Sequence, residues 1–148
     1  MRGTPVHEPR PGTRFAAPPW HAQSTPWRQS DAQLPPAHLA REMRQAMTHL
    51  DWTELSTSYA GRGTVPHRPA LLLAIVLFDL RRGQRQPSPW LQDTPEHGAL
   101  WWLGSGVQPS RRGWYAFRDR PGPYVDRLNK PVLPPALEAE RTRVERGA

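Results

Sequence analysis

The stretch Pro69–Arg82, PALLLAIVLFDLRR, does most to limit what this chain can become. It is apolar on every side, so it suits neither a half-exposed strand nor a surface helix and has to be enclosed all round. A buried strand and a central helix both meet that demand. Its length, its Leu and Ala content, the arginines in its last turn and Gly83 just beyond them favour the helix. The longest apolar run, Leu71 to Phe78, is far too short to cross a bilayer. A helix of this kind predicts other helices wrapped around it, in a soluble, cytoplasmic protein with no membrane partner.

The wrapping helices are visible as shorter signals. In HLAREMRQAMTHLDW, Leu39, Met43, Ala46, Met47 and Leu50 fall on one stripe, with Arg41, Glu42, Arg44 and Gln45 on the other side. The segment LSTSYAGRGTVPHRP that follows reads as a loop. Downstream, Ser88 with Pro89 and Thr94 with Pro95 and Glu96 read as N-caps of two short helices, the second ending at Gly104. Pro109 and Ser110 open a third, SRRGWYAFRDR, with Trp114 and Phe117 on its core side. Three short helices with a glycine-containing turn before the last predict a helix-turn-helix-like portion. Of Trp101 and Trp102, one is expected buried and the other half exposed. No series of alternating strands appears, so the expected class is mainly α, a small helical bundle.

The flanks read differently. Residues 1–36 hold eight prolines and no periodicity. They predict a disordered Pro-rich arm, with Trp20 and Trp27 beside prolines. The bundle is expected over 37–135. Val125, Leu128 and Val132 lie at helical spacing ahead of Pro134 and Pro135, and 136–148 reads as a polar C-terminal helix or tail.

Composition narrows the function. Net charge is +7, and one lysine, Lys130, stands among twenty basic residues. Such a balance favours a polyanionic partner, although a genome rich in arginine codons produces the same excess. Cysteine is absent, which excludes disulfides, thiolate metal sites and cysteine nucleophiles. The six histidines have no paired helical spacing, and no serine stands in a nucleophile motif. Asp79, Asp93, Asp119, Asp126 and Glu138 are the carboxylates to weigh for a two-metal site, which needs several of them to converge. Asp79 ahead of Arg81 and Arg82 reads as an ordinary helix end, and Asp119 between two arginines as a solvated ion pair. No metal, no cofactor and no catalysis are expected.

Basic residues gather in two clusters. Arg111, Arg112, Arg118 and Arg120 form the first, with Tyr115 on the face shared by Arg111 and Arg118. Arg81, Arg82 and Arg85 form the second. Arginine holds phosphate and guanine edges bidentately, and the first turn after Ser110 points free amides outward. These eight residues are the candidate DNA-binding set; a solvated charged face is the competing reading.

The order of these features resembles the InsH-type N-terminal domain of bacterial insertion-sequence transposases. The resemblance rests on Tyr59, Gly63, Pro69, Leu72, Leu73, Gly83, Trp102, Leu103, Gly106, Pro109, Phe117 and Arg118, and covers about residues 48–135. The Ser-Arg step usual after the family's glycine is rearranged here, with Arg85 ahead of Ser88. The resemblance implies a DNA-binding domain acting at element ends such as terminal repeats. It also implies that the chain stops before the ribonuclease-H-like catalytic domain and its metal-holding acids. Other expectations are a module that pairs with itself or with a full-length transposase and modulates it, or a truncated remnant without a role.

Overall fold

The computed structural model describes residues 15–50, 67–119 and 125–146. Arg120, Tyr59, Gly61, Gly63 and the loop expected before Pro66 lie outside them. The described residues are mainly helical and contain no strand; one isolated parallel bridge joins Ala16 to His67.

The apolar run forms α3, Pro69–Leu80, numbered after α1 (Thr25–Gln33) and α2 (Leu39–Met47). Pro69 sits in its first turn, where its missing N–H costs nothing. Residues Leu72 to Asp79 are all buried. The helix stops where Gly83 takes a φ of +78°, a conformation that glycine adopts without a side-chain clash. Around α3 pack α2, α4 (Pro87–Asp93), α5 (Gly98–Leu103) and α7 (Val125–Asn129). Nearly every side of the apolar cylinder is thereby covered, as its composition demands.

The stripe predicted on α2 is buried at Leu39, Met43, Met47 and Leu50. Two of the helix's orphan amides are satisfied by side chains: His38 Nδ1 accepts from Ala40 N at 3.0 Å, and Glu140 Oε2 accepts from Leu39 N at 2.8 Å. Glu140 belongs to α8, Leu133–Glu145, which lies along α2 and adds an ion pair from Arg143 to Glu42. The polar C-terminal helix therefore starts before residue 136. Pro134 and Pro135 sit in its first turn, where proline initiates rather than breaks, and Val132, Leu133 and Ala136 are buried in the bundle.

Order also starts earlier than Pro36. Residues 1–14 lie outside the described residues, but from Phe15 onward the segment lies against the bundle. Trp27 and Leu34 pack on the core cluster, and α1 rests on α5. Proline content argued for chain entropy; two tryptophans and one aspartate outweigh it through long-range contacts.

Two cap assignments move as well. Helix α4 begins at Pro87 with Gln86 extended before it, so Ser88 lies inside the first turn. Thr94 closes α4 instead of opening a helix: its hydroxyl donates to Trp90 O at 2.6 Å, and Thr94–Glu96 is a single 3-10 turn. The expected cap at Ser110 is present, its Oγ accepting from Gly113 N at 3.1 Å ahead of α6, Arg111–Asp119.

Candidate nucleic-acid interface

Helix α6 is fixed in rotation by aromatic packing. Trp114 and Phe117 are fully buried and meet Trp90 of α4, with ring centroids 5.5 and 6.2 Å away and interplanar angles of 60° and 84°. Trp114 and Phe117 themselves meet edge-on at 6.2 Å. Tilted pairs of this kind each contribute about 0.5–1.5 kcal/mol beyond their buried area. One cost stands against them: Trp114 Nε1 is buried without a hydrogen-bond partner. The docking is chiefly onto α4, not onto α5, although the Gly104-Ser105-Gly106 corner joins α5 directly to α6.

With Trp114 and Phe117 inward, the helical pitch turns Arg111, Arg112 and Arg118 to the surface, with Tyr115 half-buried among them. Arg111 and Arg112 make no ion pair among the described residues. Arg118 lies over the Tyr115 ring at 4.7 Å and donates to Asp119 at 3.0 Å. That pair is exposed, as read from the sequence, and exposed pairs contribute only about 0–1 kcal/mol.

The second cluster divides. Arg85 meets Arg118 across a cleft of about 120 Å³ walled by Val76, Leu80 and Val125, so one member of each cluster is brought to the same place. Arg85 is there 3.4 Å from Asp126, and both are well exposed. Arg81 instead lies over the Phe78 ring at 4.5 Å. Arg82, although exposed, is engaged by neighbouring side chains. Its Nη1 stands 3.7 Å from Asp79, 3.6 Å from Asp93 and 2.9 Å from His97 Nε2.

Asp79 is therefore no ordinary helix end. It is fully buried, both of its carboxylate oxygens lack a hydrogen-bond partner, and so does Asp93 Oδ2. Burial first, then the neighbouring Asp93 carboxyl, pushes Asp79 up to about 7, against the opposing pull of Arg82 and Arg81. Burial thus favours the neutral, protonated carboxyl at Asp79, and the nearby Asp93 carboxyl adds to that preference. The sequence shows only an acid at the end of an apolar run. That Asp93 folds back onto it depends on how α4 returns along α3. Among the described residues no cluster of three or more histidine or acidic side chains is arranged to hold a metal ion.

Arg41 and Arg44 fall on the polar side of α2 in the sequence pattern. Both lie instead over Trp102, at 5.2 and 4.2 Å from the ring centre. Burial lowers the pKa of Arg44, and Asp31 partly restores it. Trp102 is buried and Trp101 half exposed, as the pair predicted.

Comparison with protein-family models, with curated proteins and with solved structures finds no match to this chain.

Proposed function

We propose that this chain is a duplex-DNA-binding helical module of the insertion-sequence transposase type, which grips element ends and performs no strand chemistry itself. The observation that supports this reading most directly is the rotational setting of α6. Its aromatic side is locked into the core, and that leaves Arg118 outward in the last turn, Tyr115 midway, and Arg111 and Arg112 outward in the first turn of a capped helix. Helix-turn-helix proteins use that part of their second helix to reach base edges and flanking phosphates. The net charge of +7 supplies the long-range attraction to a polyanion.

The partner-binding reading calls for exposed apolar surface on α3 or around Trp101. Helix α3 is enclosed and Trp101 is stacked on Trp20; Leu137, 39% exposed, is the large apolar side chain most open to solvent among the described residues. DNA is the better supported partner.

The test is a binding titration on random duplex and on terminal-repeat duplex across salt concentrations. Each neutralised phosphate contributes about −0.9 to the slope of log affinity against log salt. Arg111→Ala/Arg118→Ala should flatten the slope by nearly two such increments while helicity is retained. An unchanged slope would remove the α6 face from the reading.

A further inference from the structure

The segment Phe15–Leu34 crosses the bundle as a strap, and its contacts are of an unusual kind. Trp20 stacks on Trp101 with ring centroids 5.3 Å apart and planes 15° from parallel. Trp27 stacks on Trp102 at 6.3 Å and 26°. Arg44 lies over Trp102 and, at 5.9 Å, over Trp27 as well. One carboxylate completes the set: Asp31 accepts from Arg41 Nη1 at 2.9 Å and from Trp102 Nε1 at 3.0 Å. Helix α1 itself buries no residue fully. Stacked rings and one carboxylate are prominent among the strap's side-chain contacts, beside Leu34 on the core and main-chain hydrogen bonds such as Trp20 N to Ser105 O at 3.0 Å.

Flat rings stacked on aromatic side chains, with arginines facing an anion, are the contacts by which proteins hold unpaired nucleic acid. We propose that Trp101, Trp102, Arg41 and Arg44 form a docking surface for single-stranded DNA. The strap occupies it as a built-in stand-in, with Trp20 and Trp27 where bases would stack and Asp31 where a phosphate would sit. Paired bases are already stacked on one another, so duplex DNA does not fit this surface. Beside the Trp20–Trp101 pair an open groove of about 320 Å³, lined in part by Gln29, Gln33 and Gly98, gives an incoming strand access to the edge of the stack. None of these residues belongs to the α6 face, so the inference stands or falls separately from the duplex reading.

The experiment uses the full chain and a fluorescein-labelled oligothymidylate, followed by anisotropy, with a duplex of equal length as control. Trp20→Ala/Trp27→Ala/Asp31→Asn should bind the single strand at least about tenfold more tightly than the parent, because each base–aromatic stack it frees is of that order. Its duplex affinity should stay unchanged. Adding Trp101→Ala and Arg41→Gln to that variant should abolish the gain. Asp31→Asn alone keeps both ring stacks, and hence the fold, and should give a gain of about threefold as one half-buried ion pair is released. This variant decides the matter if the triple variant does not fold. The proposal is overturned by a folded variant with no gain, or by a gain that survives loss of Trp101 and Arg41. It is equally overturned if a polyglutamate peptide competes as well as the oligonucleotide at equal charge, which would mark a site for acidic peptides.

Discussion

Replacing Asp79 by asparagine should make the protein more stable at neutral and alkaline pH, contrary to the usual result of altering a buried residue. Asp79 is fully buried beside Asp93, and its pKa rises from 3.8 to about 7. The folded protein therefore holds a proton that the unfolded chain releases between those two values. Stability linked to that proton is fully present below pH 3.8, declines as pH rises, and is gone above about pH 7. Three pH units at about 1.36 kcal/mol each set the upper bound at about 4 kcal/mol. Asparagine keeps the shape of the protonated carboxyl, and its amide can donate to Asp93 at every pH. Urea unfolding of parent and Asp79→Asn, followed by tryptophan fluorescence from pH 4 to 8, measures the difference directly. The curves should coincide near pH 4 and separate steadily, with the variant ahead at pH 8. Asp31 and Glu138 titrate with lowered pKa values in both proteins and cancel in the comparison. Parallel curves, or a variant weaker at pH 8, would refute the account of Asp79 as an acid kept protonated by burial.

Other perturbations test the packing and the caps. Trp90→Ala removes the ring on which Trp114 and Phe117 rest and should cost about 3–5 kcal/mol in urea unfolding. Gly106→Ala forces a side chain into a φ of +82° and places its Cβ 2.8 Å from the Trp20 ring; a loss of about 1–3 kcal/mol is expected, with hydrogen exchange rising first in the strap. Ser110→Ala uncaps α6 and should lower stability by about 1 kcal/mol. Glu140→Ala strips the long-range acceptor from Leu39 N and should cost about 1–3 kcal/mol, read as a shift in the unfolding midpoint.

The helical class was legible because α3 leaves a chain few choices: an all-round apolar cylinder has to be wrapped. The setting of α6 was legible too, since Ser110, Trp114 and Phe117 declare a cap and a buried side within a single stretch. The strap was hidden because proline counting measures local entropy, whereas Trp20 and Trp27 gain their contacts from residues some eighty positions away. Arg82 and Asp79 were hidden for a related reason. Their neighbours in sequence suggest a solvated helix end, and only the return of α4 brings Asp93 into line with them. The two arginine clusters are alike in sequence, yet Arg85 reaches the cleft beside Arg118 while Arg82, itself exposed, is engaged by two acids.

The clasp between α2 and α8 joins residues 101 positions apart, Leu39 to Glu140. Its effect is to button the early part of the chain to the late part, so the polypeptide is closed into a loop by non-covalent bonds. A break in the backbone anywhere between Leu50 and His67 would separate Leu39 from Glu140 in sequence but not in contact, and separately produced halves should find each other again. Splitting the protein there yields a two-component assembly whose reunion reports that the bundle has formed.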